Sequence, residues 1–137
     1  MESTDTYWLR NHIGAKTMKH HKSHSLDPSV EKLDLLFLRF APQLHCLDWA
    51  ETVKEYRRFL NLKKRYPSQL FMPSGAALQM WQAHILDTRR YRNDSERLFG
   101  RFIDHFPYLA CESLAERREK HFSEQLYQEL YTRHFSG

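Results

Sequence analysis

A chain of 137 residues, 41% apolar and 14% aromatic, can bury a core without disulfide or metal staples and is sized for one domain. Its formal charge of +4 permits an anionic partner without demanding one, and falls well short of the excess carried by histone-like binders. Four glycines and five prolines are too few for a sandwich or barrel built of many tight turns.

Cys46 and Cys111 lie far apart with no CxxC spacing. Both read as small buried apolar residues in a reducing compartment. No apolar run approaches the ~20 residues that span a bilayer. The N-terminus has no apolar stretch followed by small residues, so a secretory signal is not expected. A cytoplasmic protein without membrane contact is the resulting expectation.

Residues 1–27 are polar and without a clear hydrophobic period. Lys19, His20, His21, Lys22, Ser23 and His24 have the composition of a metal-binding tract, but the plainer reading is a solvated, poorly ordered lead-in. Asp27 and Pro28 then supply an N-cap and a first helical residue. The spacing of Leu33, Leu36, Phe37 and Phe40, flanked by Leu35 and Leu38, predicts a central helix that ends at Pro42.

Asp48 and Glu51 form an Asp-x-x-Glu capping box for a second helix, closed by Pro67. Trp49, Val53, Tyr56 and Leu60 make its inward stripe. Its other faces carry Arg57, Arg58, Lys63, Lys64 and Arg65, which read as a solvated surface or as a phosphate-binding one.

Pro73-Ser74 marks the next start. With Trp81 at zero and 100° per residue, His84 falls at about −60°, Thr88 at about −20° and Tyr91 at about −80°. A helix continuous to Tyr91 therefore turns all three inward as polar tips on a buried stripe. Gln82 lies about 100° from Trp81 and faces away. Asp94 either caps a further helix or sits within a continuation, and Leu98, Phe102 and His105 share one line to a stop at Pro107, aiming His105 at the same interior.

Ser113 and Glu116 form a capping box for a last helix. Phe122, Leu126 and Leu130 line one of its faces, and Tyr127, Tyr131 and His134 another. No strand-like alternation occurs. The predicted fold is all-α, a single-domain bundle of about five helices over residues 28–137.

The stretches Glu55–Leu60, Tyr66-Pro67, Met72-Pro73-Ser74, Trp81–Thr88, Phe99-Gly100 and His105–Tyr108 resemble the glycine-rich domain-containing protein-like family. That helical module occurs in bacterial proteins and at the N-terminus of plant glycine-rich domain proteins. The resemblance covers roughly residues 48 to 137. Its most specific part is a Trp-x-x-His-Ile-x-x-Thr-x-x-Tyr run followed by Phe-Gly and His-x-Pro. It implies a helical fold and, through the plant members, a role in RNA binding or development. This chain departs from the family's usual pattern at Gln82, where a histidine is usual. It also departs at Ser95, where the family often has cysteine, and at Asp104, which replaces the first of a His-His pair. A metal requiring all the family's histidines would bind this chain poorly or differently.

Four chemistries are open. A ligand pocket, with a small molecule or protein as partner, would use Trp81, His84, Thr88, Tyr91 and His105. A divalent-metal site would use His84 and His105 with Asp87, Asp94 or Asp104 as oxygen donors. His84 or His105, oriented by an aspartate, would serve as acid or base if the chain is an enzyme; a Cys111–His105 nucleophile pair is a weaker variant, because nothing nearby activates the thiol. Single-stranded RNA would be held by Arg57, Arg58, Lys63, Lys64, Arg65, Arg89, Arg90 and Arg92, with Tyr56, Phe59, Tyr66 and Tyr91 for stacking. Against all of these stands a simple role for both histidines as hydrogen-bonded parts of the core.

Overall fold

The structure, a computed structural model, describes residues 25–104 and 113–135. The predicted N-terminal lead-in, up to residue 24, lies outside them. Among the described residues there are five α-helices and no strand, as an all-α single domain requires.

Helix α1, Pro28–Glu31, starts where predicted, with the Asp27 carboxylate accepting from the Ser29 amide at 2.9 Å. It is only four residues long, not a helix running to Pro42. The cause is local. Asp34 accepts the Leu36 amide at 2.9 Å, offering the backbone a turn in place of the helix ladder. Two 3-10 turns follow, Leu36–Leu38 and Pro42–Leu44, so Pro42 opens a turn where it was expected to end a helix. Val30, Leu33, Leu35 and Leu38 reach the core, while Leu36 and Phe40 are exposed. The Arg57 guanidinium takes the carbonyls of Val30, Glu31 and Leu33, which a longer helix would have paired internally. Cys46 is exposed, not buried, because it lies in the irregular connection after the second turn.

Helix α2, Trp49–Arg65, is the central element and packs against α1 and two later helices. Asp48 caps it by accepting from the Glu51 amide at 2.8 Å, while the Glu51 carboxylate pairs with Lys54 at 2.9 Å. Tyr56, Phe59, Leu60 and Leu62 are buried along it.

Helix α3, Gly75–Leu86, and the first turn of helix α4, Thr88–Phe99, were predicted as one helix continuous to Tyr91. Asp87 separates them. Its φ of −87° and ψ of 78° leave the helical region, its amide donates to the His84 carbonyl, and its carboxylate accepts from the Arg90 amide at 3.4 Å. The break resets the helical phase. Thr88 becomes the first residue of α4 and is exposed, contrary to its predicted inward position. Tyr91, Ser95 and Leu98 form the buried face in the new phase.

Helix α4 also ends early. Gly100 takes a left-handed φ of 75° as its cap, so Phe102 lies beyond the helix and is 42% exposed, while Ile103 is buried. A Cβ on Gly100 would meet nothing within 4 Å. Gly100→Ala is therefore expected to cost only the backbone penalty, about 1 kcal/mol, in a urea unfolding titration, with Gly100→Asn costing less.

Helix α5, Leu114–Phe135, opens with the Ser113 hydroxyl accepting from the Glu116 amide at 3.1 Å. It packs on α2 through Leu126, Tyr127, Leu130 and His134. Phe122, expected to extend that line, is 44% exposed, and Ser123 takes the inward position one residue on. Phe59 of α2 joins the layers, with ring centroids 4.8 Å from Trp81 and 5.9 Å from Tyr127. Among the described residues, no helix is long and apolar enough to cross a membrane.

Candidate functional site

His84 lies in the last turn of α3 and is 1% exposed. Its Nδ1 is 2.7 Å from the Tyr56 hydroxyl on α2, and its Nε2 is 2.8 Å from the Asp94 carboxylate on α4. A carboxylate only accepts, so Nε2–H donates to Asp94, and Nδ1 accepts from the Tyr56 O–H. Burial pushes the His84 imidazole below its usual range, against the opposing hydrogen bond and charge of Asp94. Burial drives the Tyr56 phenol well up, which keeps it a neutral donor. The Phe37 and Tyr91 rings stand edge-on to the imidazole at 5.4 and 5.1 Å. Arg90 covers Phe37 from outside, its guanidinium 4.3 Å from the ring centre.

A second chain of bonds runs alongside. The Trp81 indole N–H donates to the Tyr91 hydroxyl at 2.9 Å, and that hydroxyl donates to the Ile103 carbonyl at 2.6 Å. The non-helical segment after Gly100 is thereby tied to α3 and α4.

Of the residues predicted to share a site, Trp81, His84 and Tyr91 come together and Thr88 does not. His105 lies outside the described residues, as does Cys111. Of the two direct partners of His84, an orienting aspartate was expected but not placed at Asp94, and Tyr56 was not foreseen in that role. Tyr56 was assigned to the inward stripe of α2 and also to a stacking surface, and Asp94 to a cap or a metal ligand. Asp94 falls three residues after Tyr91 on α4, about 60° round the helix, so the inward placing of Tyr91 already set it beside the buried face.

As a metal set, these donors are poorly disposed. Both ring nitrogens of His84 are engaged, and Asp87 turns towards Arg90, with the Nε 3.6 Å away. Asp104 is exposed. No three His, Cys, Asp or Glu side chains gather in metal-binding fashion among the described residues.

The basic residues of α2 are largely engaged within the fold. Arg58 donates to the Tyr131 hydroxyl at 2.7 Å and covers the Phe135 ring at 4.9 Å. Lys64 bonds Asp27 at 3.1 Å and Ser29 at 2.6 Å. Lys63 is buried, and Arg57 holds the α1 carbonyls. Arg65, Arg89 and Arg92 are exposed. Tyr56, Phe59, Tyr66 and Tyr91 all lie in the core.

A second histidine–phenol pair, also unforeseen, joins the ends of α2 and α5. The Tyr66 hydroxyl lies 2.6 Å from Nε2 of His134. Burial, helped by the positive charges of Arg65 and Arg133, pushes His134 down to about 4.

Two hollows adjoin this core. A surface groove of about 590 Å³ runs between the Met72–Ser74 segment and α5, with Tyr127 at its base. A cavity of about 40 Å³ lies against Trp81, Lys63 and Phe71. His84 lines neither.

No curated protein and no solved structure matches the chain. One family pattern does, and it takes in α1 to α4 and most of α5. By that match, over residues 11–129, the chain belongs to the family described as UCP032817-like.

Proposed function

We propose that this protein is a helical binding module whose histidine-centred network is the frame of the site, with the ligand taken against Trp81 and not at the imidazole. The observation that carries this reading is that both nitrogens of His84 are occupied, by Tyr56 and Asp94, in a ring that is 1% exposed. The order carboxylate, imidazole, hydroxyl is that of a general-base relay. Here, however, the hydroxyl belongs to Tyr56, which is 0% exposed, so a reacting atom has no approach to it. Trp81 belongs to the neighbouring chain of bonds, which meets the imidazole through the Tyr91 ring, and it lines a cavity.

The likeness of Trp81–Thr88 and Phe99-Gly100 to the glycine-rich domain-containing protein-like family belongs to this proposal, as does a cytoplasmic setting. The exposed, free Cys46 suits a reducing compartment. RNA binding is the weaker reading, because four of the five basic residues expected to meet phosphate on α2 are turned to internal partners, and the four aromatic rings expected to stack lie in the core.

Ligand-observed NMR with a library of small neutral fragments tests the reading. Binding is expected to persist in Asp94→Asn and to be lost in Ser123→Val, which narrows the cavity from α5. The opposite pattern would put the ligand at the imidazole and overturn it.

A further inference from the structure

Lys63 is the most anomalous charged group in the described structure. Lysine is almost never fully buried unless paired, yet this one is 7% exposed. Among the described residues no carboxylate lies within 4 Å of its ammonium group. Among the described residues its hydrogen bond is to the Gln69 carbonyl at 3.3 Å, and its amine nitrogen sits 4.3 Å from the centre of the Phe71 ring. Arg101, a charge of the same sign, disfavours its protonated form further. A buried ammonium with a weak bond and an aromatic face is poorly compensated. Desolvation accordingly lowers its pKa to about 8.

The same side chain borders the cavity of about 40 Å³, whose wall includes Phe71, Trp81, Ser123, Asp104 and Glu119. At 10–15 Å³ for each water-sized group, that is room for roughly three or four non-hydrogen atoms. The lining selects among small ligands. Two aromatic rings favour an apolar body, and two acidic side chains on the wall disfavour an anion such as acetate or phosphate. The amine provides a nucleophile.

We propose that Lys63 is a covalent binding site for a small neutral carbonyl compound, an aldehyde or ketone of about three or four non-hydrogen atoms. The neutral amine adds to the carbonyl carbon, forming a C–N bond as the oxygen takes up a proton. The carbinolamine then loses water to leave a C=N bond to Lys63. Neither oxidant nor reductant is needed. With its lowered pKa, about one Lys63 in ten is unprotonated at pH 7, against fewer than one in a thousand for an ordinary lysine. This inference rests on the binding-module reading for the cavity and adds the ligand class.

The test is reductive trapping of the native protein with acetone and cyanoborohydride at pH 7, followed by digestion and mass spectrometry. Lys63 is expected to gain an isopropyl group at least tenfold faster than the exposed Lys32 or the surface residue Lys120. The difference should disappear in urea and shrink as the pH approaches 10. Lys63→Met, which keeps the length and removes the buried charge, should fold with an undiminished melting temperature and lose the adduct. Modification of Lys63 at or below the rate of the surface lysines would overturn the proposal. A parallel NMR arm uses 2-propanol, which has acetone's shape but no electrophile. If 2-propanol contacts the Trp81 ring while Lys63 stays unmodified, the imine is wrong and the binding-module reading stands. If neither molecule enters, both fall.

Discussion

Replacing His84 with alanine is expected to destabilise the fold by about 4 kcal/mol, a loss of roughly 15 °C in melting temperature. The change removes the one group that serves both the Tyr56 hydroxyl and the Asp94 carboxylate. Each would remain largely buried without its partner, and an unmet buried polar group costs about 1–3 kcal/mol, more when charged. A void between Phe37 and Tyr91 adds to the loss. Single-atom changes at the partners should cost less. Asp94→Asn keeps an oxygen that accepts from Nε2–H, and Tyr56→Phe leaves only Nδ1 unmet, so each should cost about 1–2 kcal/mol. Urea titrations of the three variants check the ranking. A cost for His84→Ala no larger than that for Asp94→Asn would show that the imidazole does not tie α2, α3 and α4 together.

Acidification from pH 6.5 to pH 4 is expected to remove about 3 kcal/mol of stability through His134. Its folded value, about 4, lies below the unfolded one of 6.5. Between those values the unfolded chain holds a proton that the folded chain refuses, so stability rises with pH across the window. The contribution is complete above about pH 6.5 and absent below about pH 4. His84 is shifted in the same direction, by burial, and adds to the loss. His134→Gln can still pair with Tyr66 and has no proton to gain, so its urea midpoint should depend less on pH than that of the unchanged protein. Parallel profiles for the two between pH 4 and pH 7 would refute the assignment. Above pH 7 they should differ by a constant offset.

Both effects arise from pairs that join distant parts of the chain, and such pairs were the least legible feature of the sequence. Capping was read well. The Asp27, Asp48 and Ser113 side chains each accept the expected backbone amide, because a cap depends on residues two or three apart. The stripe of α2 was also legible, since one uninterrupted helix preserves its own phase.

Errors followed where the phase was interrupted. The run from Pro73 to Tyr91 satisfies a single helical wheel, yet Asp87 divides it and leaves Thr88 exposed. The leucine-rich stretch after Pro28 has helical spacing, yet Asp34 captures a backbone amide and turns the chain. Gly100 stops α4 before the line to Phe102 can continue. Each interruption comes from one short polar residue or one glycine. A periodicity averaged over a whole segment does not register a single residue of that kind.

The sequence by itself determined the all-α class, most helix starts, and the gathering of Trp81, His84 and Tyr91 near one interior. Apolar spacing and caps act over one or two helical turns, so they are written in the order of residues. Only the tertiary structure decided that His84 is held between Tyr56 and Asp94, that Lys63 is buried without a carboxylate within reach among the described residues, and that most of the basic face of α2 turns inward. These are meetings of side chains 10 to 73 positions apart, brought about by helix packing and three interrupted phases. No local periodicity encodes them.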